Sequence, residues 1–232
     1  MIAPPRIIIA DDHPLFRTAL SHTLQNGLQQ PHLVEAEDFT SLQSCVDAHP
    51  DTQLILLDLH MPGAEGFSAL VYLNAHYPHI PVMVVSAHEE TDIIHRAMDH
   101  GASGFLPKSA AVDTILEALT TVLEGGVWLP EGLAEYTATG EEELTIADAL
   151  ASLTPQQFRV ATMVSQGLLN KQIAYQLGVT EATVKAHMTE IFKKLGVQSR
   201  TQAALAMGQL AIHPPQALEA LRKPVTPTPE VD

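Results

Sequence analysis

Residues 53–58, QLILLD, run almost wholly apolar and end on an aspartate, and residues 81–86, PVMVVS, do the same and end on a serine. Runs that are apolar at successive positions suit strands covered on both faces, as in a parallel sheet. Three more β-rich runs fall at a similar spacing, at residues 6–10, 32–37 and 103–106. Helical stretches lie between them, at about residues 14–25, 40–48, 67–76, 91–100 and 112–124. Pro14 suits a first helical turn, where its missing N–H is not needed, and Gly101 suits a helix end. Five strand–helix units with right-handed crossovers predict an α/β unit on a doubly wound, five-stranded parallel sheet of about 120 residues.

The chain changes character after that. Residues 125–152 open on the turn-rich GGVWLPEG and continue through an acidic run without a clear strand, so they read as a linker with some helical character. Residues 153–212 predict an all-α unit of four short helices, at 155–166, 171–177, 181–195 and 201–211, punctuated by Gly167, Gly178 and Gly196. Residues 213–232 form a proline-rich tail.

Of the 232 residues, 46% are hydrophobic and 17% charged, which supports packed cores and argues against a disordered polymer. The single cysteine, Cys45, excludes an internal disulfide and a four-cysteine zinc site. No apolar run approaches the roughly 18 residues of a membrane span. The short apolar run near the N-terminus ends in two aspartates, unlike a secretion signal, and the expectation is a cytoplasmic protein with no membrane partner. The net charge of −15 is unevenly spread. Residues 1–150 hold four Lys and Arg against 22 Asp and Glu, while residues 153–212 hold six against two. Opposite signs predict two units with different partners, the basic one suited to phosphates.

In a doubly wound sheet, sites gather at the carboxyl ends of the strands. Those ends carry Asp11 and Asp12 after the first strand, Asp58 after the third, Ser86 after the fourth and Lys108 after the fifth. Three neighbouring carboxylates cannot all stay ionised without a cation, and an oxygen-rich cluster suits Mg²⁺. An aspartate beside such a cation can act as a nucleophile and form an acyl phosphate. The metal and the lysine would neutralise charge on the transferring phosphoryl group. Solvated loop carboxylates account for any one of these residues, but poorly for five polar groups at five appropriate positions. Among the twelve histidines, His76 with His79 and His95 with His100 lack the partners of a transition-metal site.

IIIADDHP (7–14), LLDLHMPGAEG (56–66), VVSAH (84–88) and GASGFLPK (101–108) carry a resemblance over residues 1–124. In order and spacing they resemble the receiver domain of bacterial two-component response regulators, a flavodoxin-like fold. The resemblance implies that a sensor histidine kinase phosphorylates Asp58. It places Mg²⁺ on Asp12, Asp58 and the backbone carbonyl of His60, with Asp11 also in the site. Ser86 is then the switch hydroxyl, and Lys108 pairs with the phosphoryl group. Phe105 stands where the family often has tyrosine, so a switch through it works by packing alone; an ordinary core phenylalanine is the compatible alternative. His60 and His88 each lie two residues past a pocket residue, a position that in receivers tunes hydrolysis; the alternative is surface histidines without a role.

The second signal is basic. Thr154-Pro155 forms a helix cap and first turn. Ile173, Ala174 and Leu177 share one apolar face, Gly178-Val179 makes a tight turn, and Thr180 caps a helix whose apolar positions are Val184, Met188, Ile191 and Leu195. Two short helices joined by a glycine turn make a helix-turn-helix. Thr183, Lys185, Ala186, His187, Thr189 and Lys193 remain on the outer face, small and basic enough for a major groove. Asn170, Lys171 and Thr180 sit near helix N-termini that suit phosphate. Charge alone leaves a protein-binding helical domain open. LTPQQFRVATMVSQGLLNKQIA (153–174) and TVKAHMTEIFKKLGVQSRTQA (183–203) resemble the LuxR-type helix-turn-helix over residues 153–212.

Together the two halves resemble a NarL/FixJ-type response regulator. That resemblance directs Lys185, Ala186 and Thr189 at base edges and Lys171, Thr180, Thr183 and Lys193 at the DNA backbone. It makes residues 201–210 a dimer contact. The implied function is transcriptional control, not enzymatic turnover. The implied partners are a sensor histidine kinase, double-stranded promoter DNA, RNA polymerase and a second copy in the active homodimer. Phosphorylation would unmask the recognition helix, drive dimerisation, or both. A haloacid-dehalogenase-like phosphatase is a rival, but it needs an aspartate two residues after its nucleophile, and His13 follows Asp11 at that spacing. A small-molecule-gated regulator needs an apolar or aromatic pocket, against 5% aromatics and an acidic rim. A regulator of the same architecture that works without phosphorylation stays open.

Overall fold

The structure is a computed structural model, and it describes residues 4–133 and 141–212. Strands β1 (Arg6–Ala10), β2 (His32–Ala36), β3 (Leu54–Asp58), β4 (Val82–Ser86) and β5 (Gly104–Pro107) form one parallel sheet in the order β2-β1-β3-β4-β5. Every residue of β3 and β4 is buried, as their unbroken apolar runs require. Helices α1 (Pro14–Gly27), α2 (Phe39–Ala48), α3 (Ser68–His76), α4 (Thr91–Asp99) and α5 (Val112–Leu123) follow the strands in turn.

Alternation along the strands divides the core in two. Ile7, Ile9, Leu54, Leu56, Met83 and Val85 pack with Leu20 and Leu24 of α1 and Leu119 and Val122 of α5. Ile8, Ile55, Leu57, Val82 and Val84 face the other way, toward Leu42 of α2, Leu70 of α3 and Ile94 of α4. Burying each such aliphatic side chain contributes about 1.5–3 kcal/mol.

The element ends differ slightly from the sequence expectation, for local reasons. Helix α2 opens at Phe39 because the Asp38 carboxylate accepts the Ser41 amide at 2.7 Å. Strand β2 stops at Ala36, and β5 starts at Gly104 and runs on to Pro107.

The segment read as a linker has two ordered pieces. Trp128 lies along the outer edge of β5, donating its amide to the Ser103 carbonyl at 3.3 Å and accepting from the Phe105 amide at 3.1 Å. Helix α6 (Glu141–Ala151) then packs against α3 with its Leu150 fully buried and leads into the equally buried Leu153. Residues 134–140 and the proline-rich tail at 213–232 lie outside the described residues.

Four helices follow: α7 (Pro155–Ser165), α8 (Asn170–Leu177), α9 (Glu181–Leu195) and α10 (Arg200–Gly208). Gly178 and Gly196 end α8 and α9 at φ +64° and +67°, a left-handed turn that glycine makes without Cβ strain. Ser199 caps α10, which starts at Arg200, one residue before the expected start, and stops at Gly208, short of the expected residue 211. The helical unit is seated on the sheet unit. The Phe158 ring of α7 lies 4.6 Å from that of Phe39 and 4.7 Å from that of Tyr72, and one apolar cluster runs through both units. Among the described residues, no helix is long and apolar enough to cross a membrane.

Candidate functional site

The carboxyl ends of β1, β3 and β5 converge as the strand order demands. Asp11 and Asp58 are 2% and 3% exposed, while Asp12 faces partly outward. The Lys108 amide donates to the Ser86 carbonyl at 2.8 Å, which fixes the end of β5 beside that of β4. From there the Lys108 ammonium reaches 2.9 Å from Asp58 Oδ2 and 2.7 Å from Asp11 Oδ2. Burial pulls its pKa down, but hydrogen bonds and charge from Asp11 and Asp58 outweigh that and hold it above the ordinary lysine value. The ammonium also lies 5.0 Å from the centre of the Phe16 ring. Ser86 is fully buried, and its Oγ accepts the His88 amide at 3.1 Å.

Asp11, Asp12 and Asp58, with His13, bring their ligand atoms within 4.8 Å of one another. Three carboxylates face one ammonium, which leaves excess negative charge on hard oxygen donors. That donor set fits Mg²⁺.

The sequence reading did not place His13 in this pocket. Its Nδ1 lies 2.7 Å from Asp12 Oδ1, 3.2 Å from Asp11 Oδ1 and 3.8 Å from Asp58 Oδ2. The only sequence signal is its position directly after the acidic pair. Arg17 was missed as well; its Nη1 donates to the Asp11 carbonyl at 2.6 Å and steadies that turn. The rings of His60 and His88 sit 5.1 Å apart at the end of β3 and β4. Burial lowers the pKa of His60 below the ordinary histidine value, against the opposing charge of Asp58. Phe105 is fully buried in the sheet unit's core.

The second candidate surface is on the helical unit. The Thr180 hydroxyl accepts the Thr183 amide at 3.2 Å and caps α9. Lys171, Thr180, Lys185, Ala186, Thr189 and Lys193 are exposed, and Thr183 is half-buried. Lys171, Lys185 and Thr189 line an open groove of about 710 Å³ with Glu181 and Arg200. Arg200 was not singled out from sequence. Its guanidinium donates to Asn170 Oδ1 at 3.2 Å and to the Leu168 carbonyl, bracing the start of α8 against the start of α10. On α9, Lys185, Ala186, Thr189 and Lys193 are open to solvent in the seated arrangement.

Comparison with known proteins gives two family matches. "Response regulator receiver domain" covers residues 7–120, and "Bacterial regulatory proteins, luxR family" covers residues 151–207. The chain is 38% identical over 211 residues to the glycerol metabolism activator of Pseudomonas putida, covering 88% of this chain and 96% of that protein. It is 35% identical over 213 residues to the nitrate/nitrite response regulator NarL of Escherichia coli K12, covering 89% and 96%. Among solved structures it resembles RcsB from Salmonella enterica serovar Typhimurium bound to promoter rprA in the presence of phosphomimetic BeF3−. That match has a TM-score of 0.51 at 23% identity, covers 89% of this chain and 100% of that one, and speaks to the fold alone.

Proposed function

Because the chain belongs to the NarL/FixJ-type two-component response regulators, a family of DNA-binding transcriptional regulators and not of enzymes, we propose that phosphorylation of Asp58 by a sensor histidine kinase controls its binding to promoter DNA. The observation that carries this reading is the Lys108 ammonium held between Asp58 and Asp11 at the strand ends. In this reading the receiver spans residues 1–124, a linker 125–152, the DNA-binding domain 153–212 and a tail 213–232. The protein works in the cytoplasm as a homodimer when active, with RNA polymerase as a further partner.

A carboxylate oxygen of Asp58 attacks the phosphorus of the kinase's phosphohistidine, the P–N bond breaks, and an acyl phosphate forms on Asp58. Asp11, Asp12, Asp58 and the His60 carbonyl would hold Mg²⁺, which when bound neutralises carboxylate and phosphoryl charge. Lys108 leaves its carboxylate pair to meet the new phosphoryl oxygens, and the Ser86 hydroxyl turns toward them. Phe105 follows by packing, since it has no hydroxyl to rebind.

His60 and His88 border this group and tune its hydrolysis. Replacing both with alanine changes the dephosphorylation half-life of the phosphorylated protein by about tenfold, on the order of 1.4 kcal/mol in the barrier. An unchanged half-life, followed by intact mass, ends that role.

On DNA, Lys185, Ala186 and Thr189 face bases, and Lys171, Thr180, Thr183 and Lys193 face phosphates. Titration of the full chain with duplex DNA at several salt concentrations tests this. Each neutralised phosphate adds about 0.9 to the slope of log affinity against log salt. Lys171→Ala with Lys193→Ala therefore flattens the slope by about 2, roughly 0.9 per lysine. Lys185→Ala costs about 1–3 kcal/mol on a selected sequence and relaxes its base preference. A slope that the double variant leaves unaltered removes both lysines from the backbone contact.

A further inference from the structure

Most of the acidic pocket follows from the strand order, but His13 does not. It is the cap residue of α1, at φ −91° and ψ 102°, and its side chain makes no capping bond to the helix. Pro14 follows in the first turn, where it needs no N–H partner and fixes the direction of the chain. The His13 amide donates to Asp11 Oδ1 at 2.7 Å. Free of capping and anchored at its backbone, the imidazole turns back over the carboxylates with Nδ1 foremost.

Nδ1 lies 2.7 Å from Asp12 Oδ1, 3.2 Å from Asp11 Oδ1 and 3.8 Å from Asp58 Oδ2. The shortest of these approaches is not a hydrogen bond: Asp12 Oδ1 is buried and receives none among the described residues. Lys108 pairs with Asp11 and Asp58. Two electron-rich atoms held this close outside hydrogen-bond geometry are placed as neighbouring ligands of one cation. A dication about 2.1 Å from each ligand sets adjacent ligands about 3 Å apart and opposite ones about 4.2 Å apart. The three separations run close to that span.

Carboxylates alone suit Mg²⁺. An imidazole nitrogen adds little for so hard an ion, but it favours borderline first-row dications such as Co²⁺ and Ni²⁺. Among the described residues, no other three or more His, Cys, Asp and Glu side chains bring ligand atoms this close together, so the pocket is where such an ion gathers the most ligands. His60 and His88 stand nearby, their rings 5.1 Å apart, but outside the group.

We propose that His13 is a metal ligand through Nδ1, and that with Asp11, Asp12 and Asp58 it makes the strand-end pocket a site for a borderline transition-metal dication, bound in preference to Mg²⁺. This rests on the pocket as the cation site of the proposed function, and not on Asp58 as phosphoacceptor. His13 gives the pocket a choice of ion that three carboxylates alone do not make.

Calorimetric titration of the full chain with Mg²⁺ alone and with Co²⁺ alone tests this, together with proton NMR of the protein carrying one equivalent of Co²⁺. Wild type is expected to bind Co²⁺ about tenfold or more tighter than Mg²⁺, to release it to excess Mg²⁺, and to show hyperfine-shifted imidazole resonances from a single histidine. His13→Asn is expected to lose those resonances and about tenfold or more in Co²⁺ affinity, a factor that even an outer-shell partner commands at a metal site, while its Mg²⁺ affinity stays within about twofold of wild type. His60→Ala with His88→Ala keeps both the resonances and the affinity. If His13→Asn holds Co²⁺ as tightly as wild type, or keeps the shifted resonances, His13 is not the ligand. If Co²⁺ and Mg²⁺ affinities fall by the same factor, His13 only orders the carboxylates, and the proposal fails. It fails too if excess Mg²⁺ does not displace Co²⁺, because the ion then sits elsewhere. If wild type binds neither ion, the cation pocket of the proposed function is wrong and takes the His13 site with it; Mg²⁺ binding with no preference for Co²⁺ ends the His13 site alone.

Discussion

Incubated with Mg²⁺ and a small phosphodonor, the wild-type chain gains the mass of one phosphoryl group, and Asp58→Asn gains none. The prediction is all or none because an amide oxygen at this position is not a nucleophile of comparable strength, and Asp11 is already engaged by Lys108, His13 and the backbone of its own turn. The substitution should not cost the fold. Asp11, Asp12 and Asp58 crowd one ammonium, and neutralising one of three carboxylates relieves like-charge repulsion. Asp58→Asn is therefore expected to melt at or above the wild-type temperature, as befits a site shaped for chemistry at the expense of stability. A lower melting temperature together with lost phosphorylation would point to a structural role for Asp58. A gain in mass on Asp58→Asn would reassign the acceptor. No gain on either protein moves activation to a donor that only the kinase supplies, or to a switch that needs no phosphate, and direct transfer from a phosphorylated kinase separates those two.

The architecture was readable from the sequence to the extent that burial imposes a pattern on single elements. QLILLD and PVMVVS become strands buried at every position because a central parallel strand has no solvent face to record. Once those runs are strands, the rule that sites gather at carboxyl ends brings Asp11, Asp12, Asp58 and Lys108 together without further information. His13 escaped because its place in the pocket depends on how its side chain turns back from the start of α1, and no periodicity encodes that. Helix α6 was only half legible. Its apolar residues Ala147 and Leu150 are buried by contact with other elements, and the covering surface lies far away in the chain. The seating of the two units was not legible at all. Glu143 sits in an acidic run that reads as a solvated linker, and only the fold sets Arg96 and His100 against it. Arg200 likewise counts in the sequence only toward the basic charge of residues 153–212, and its role shows once its two acceptors, Asn170 and the Leu168 carbonyl, come into view.

Phe158 shows most plainly that one side chain can serve both units. From the sequence it is an apolar position on the first helix of the DNA-binding domain. In the structure it is fully buried, and its ring meets Phe39 from α2 and Tyr72 from α3. Tyr72 is itself held edge-on by Phe39 at 5.2 Å and stacked on His76 at 4.1 Å, so the ring cluster has little freedom to collapse into a void. Cavities that cannot collapse carry the larger costs, and Phe158→Ala is expected to lose about 3–5 kcal/mol against urea. Phe158→Leu keeps most of the volume and is expected to lose under about 1.5 kcal/mol. The two variants should also differ in where they loosen the protein. Alanine should speed hydrogen exchange in α2 and α3 as well as in α7, because the void opens on both sides of the seam, whereas leucine should leave α2 and α3 near their wild-type rates. If alanine weakens only α7, Phe158 belongs to the helical unit alone, and the seating depends on the polar contacts around Glu143.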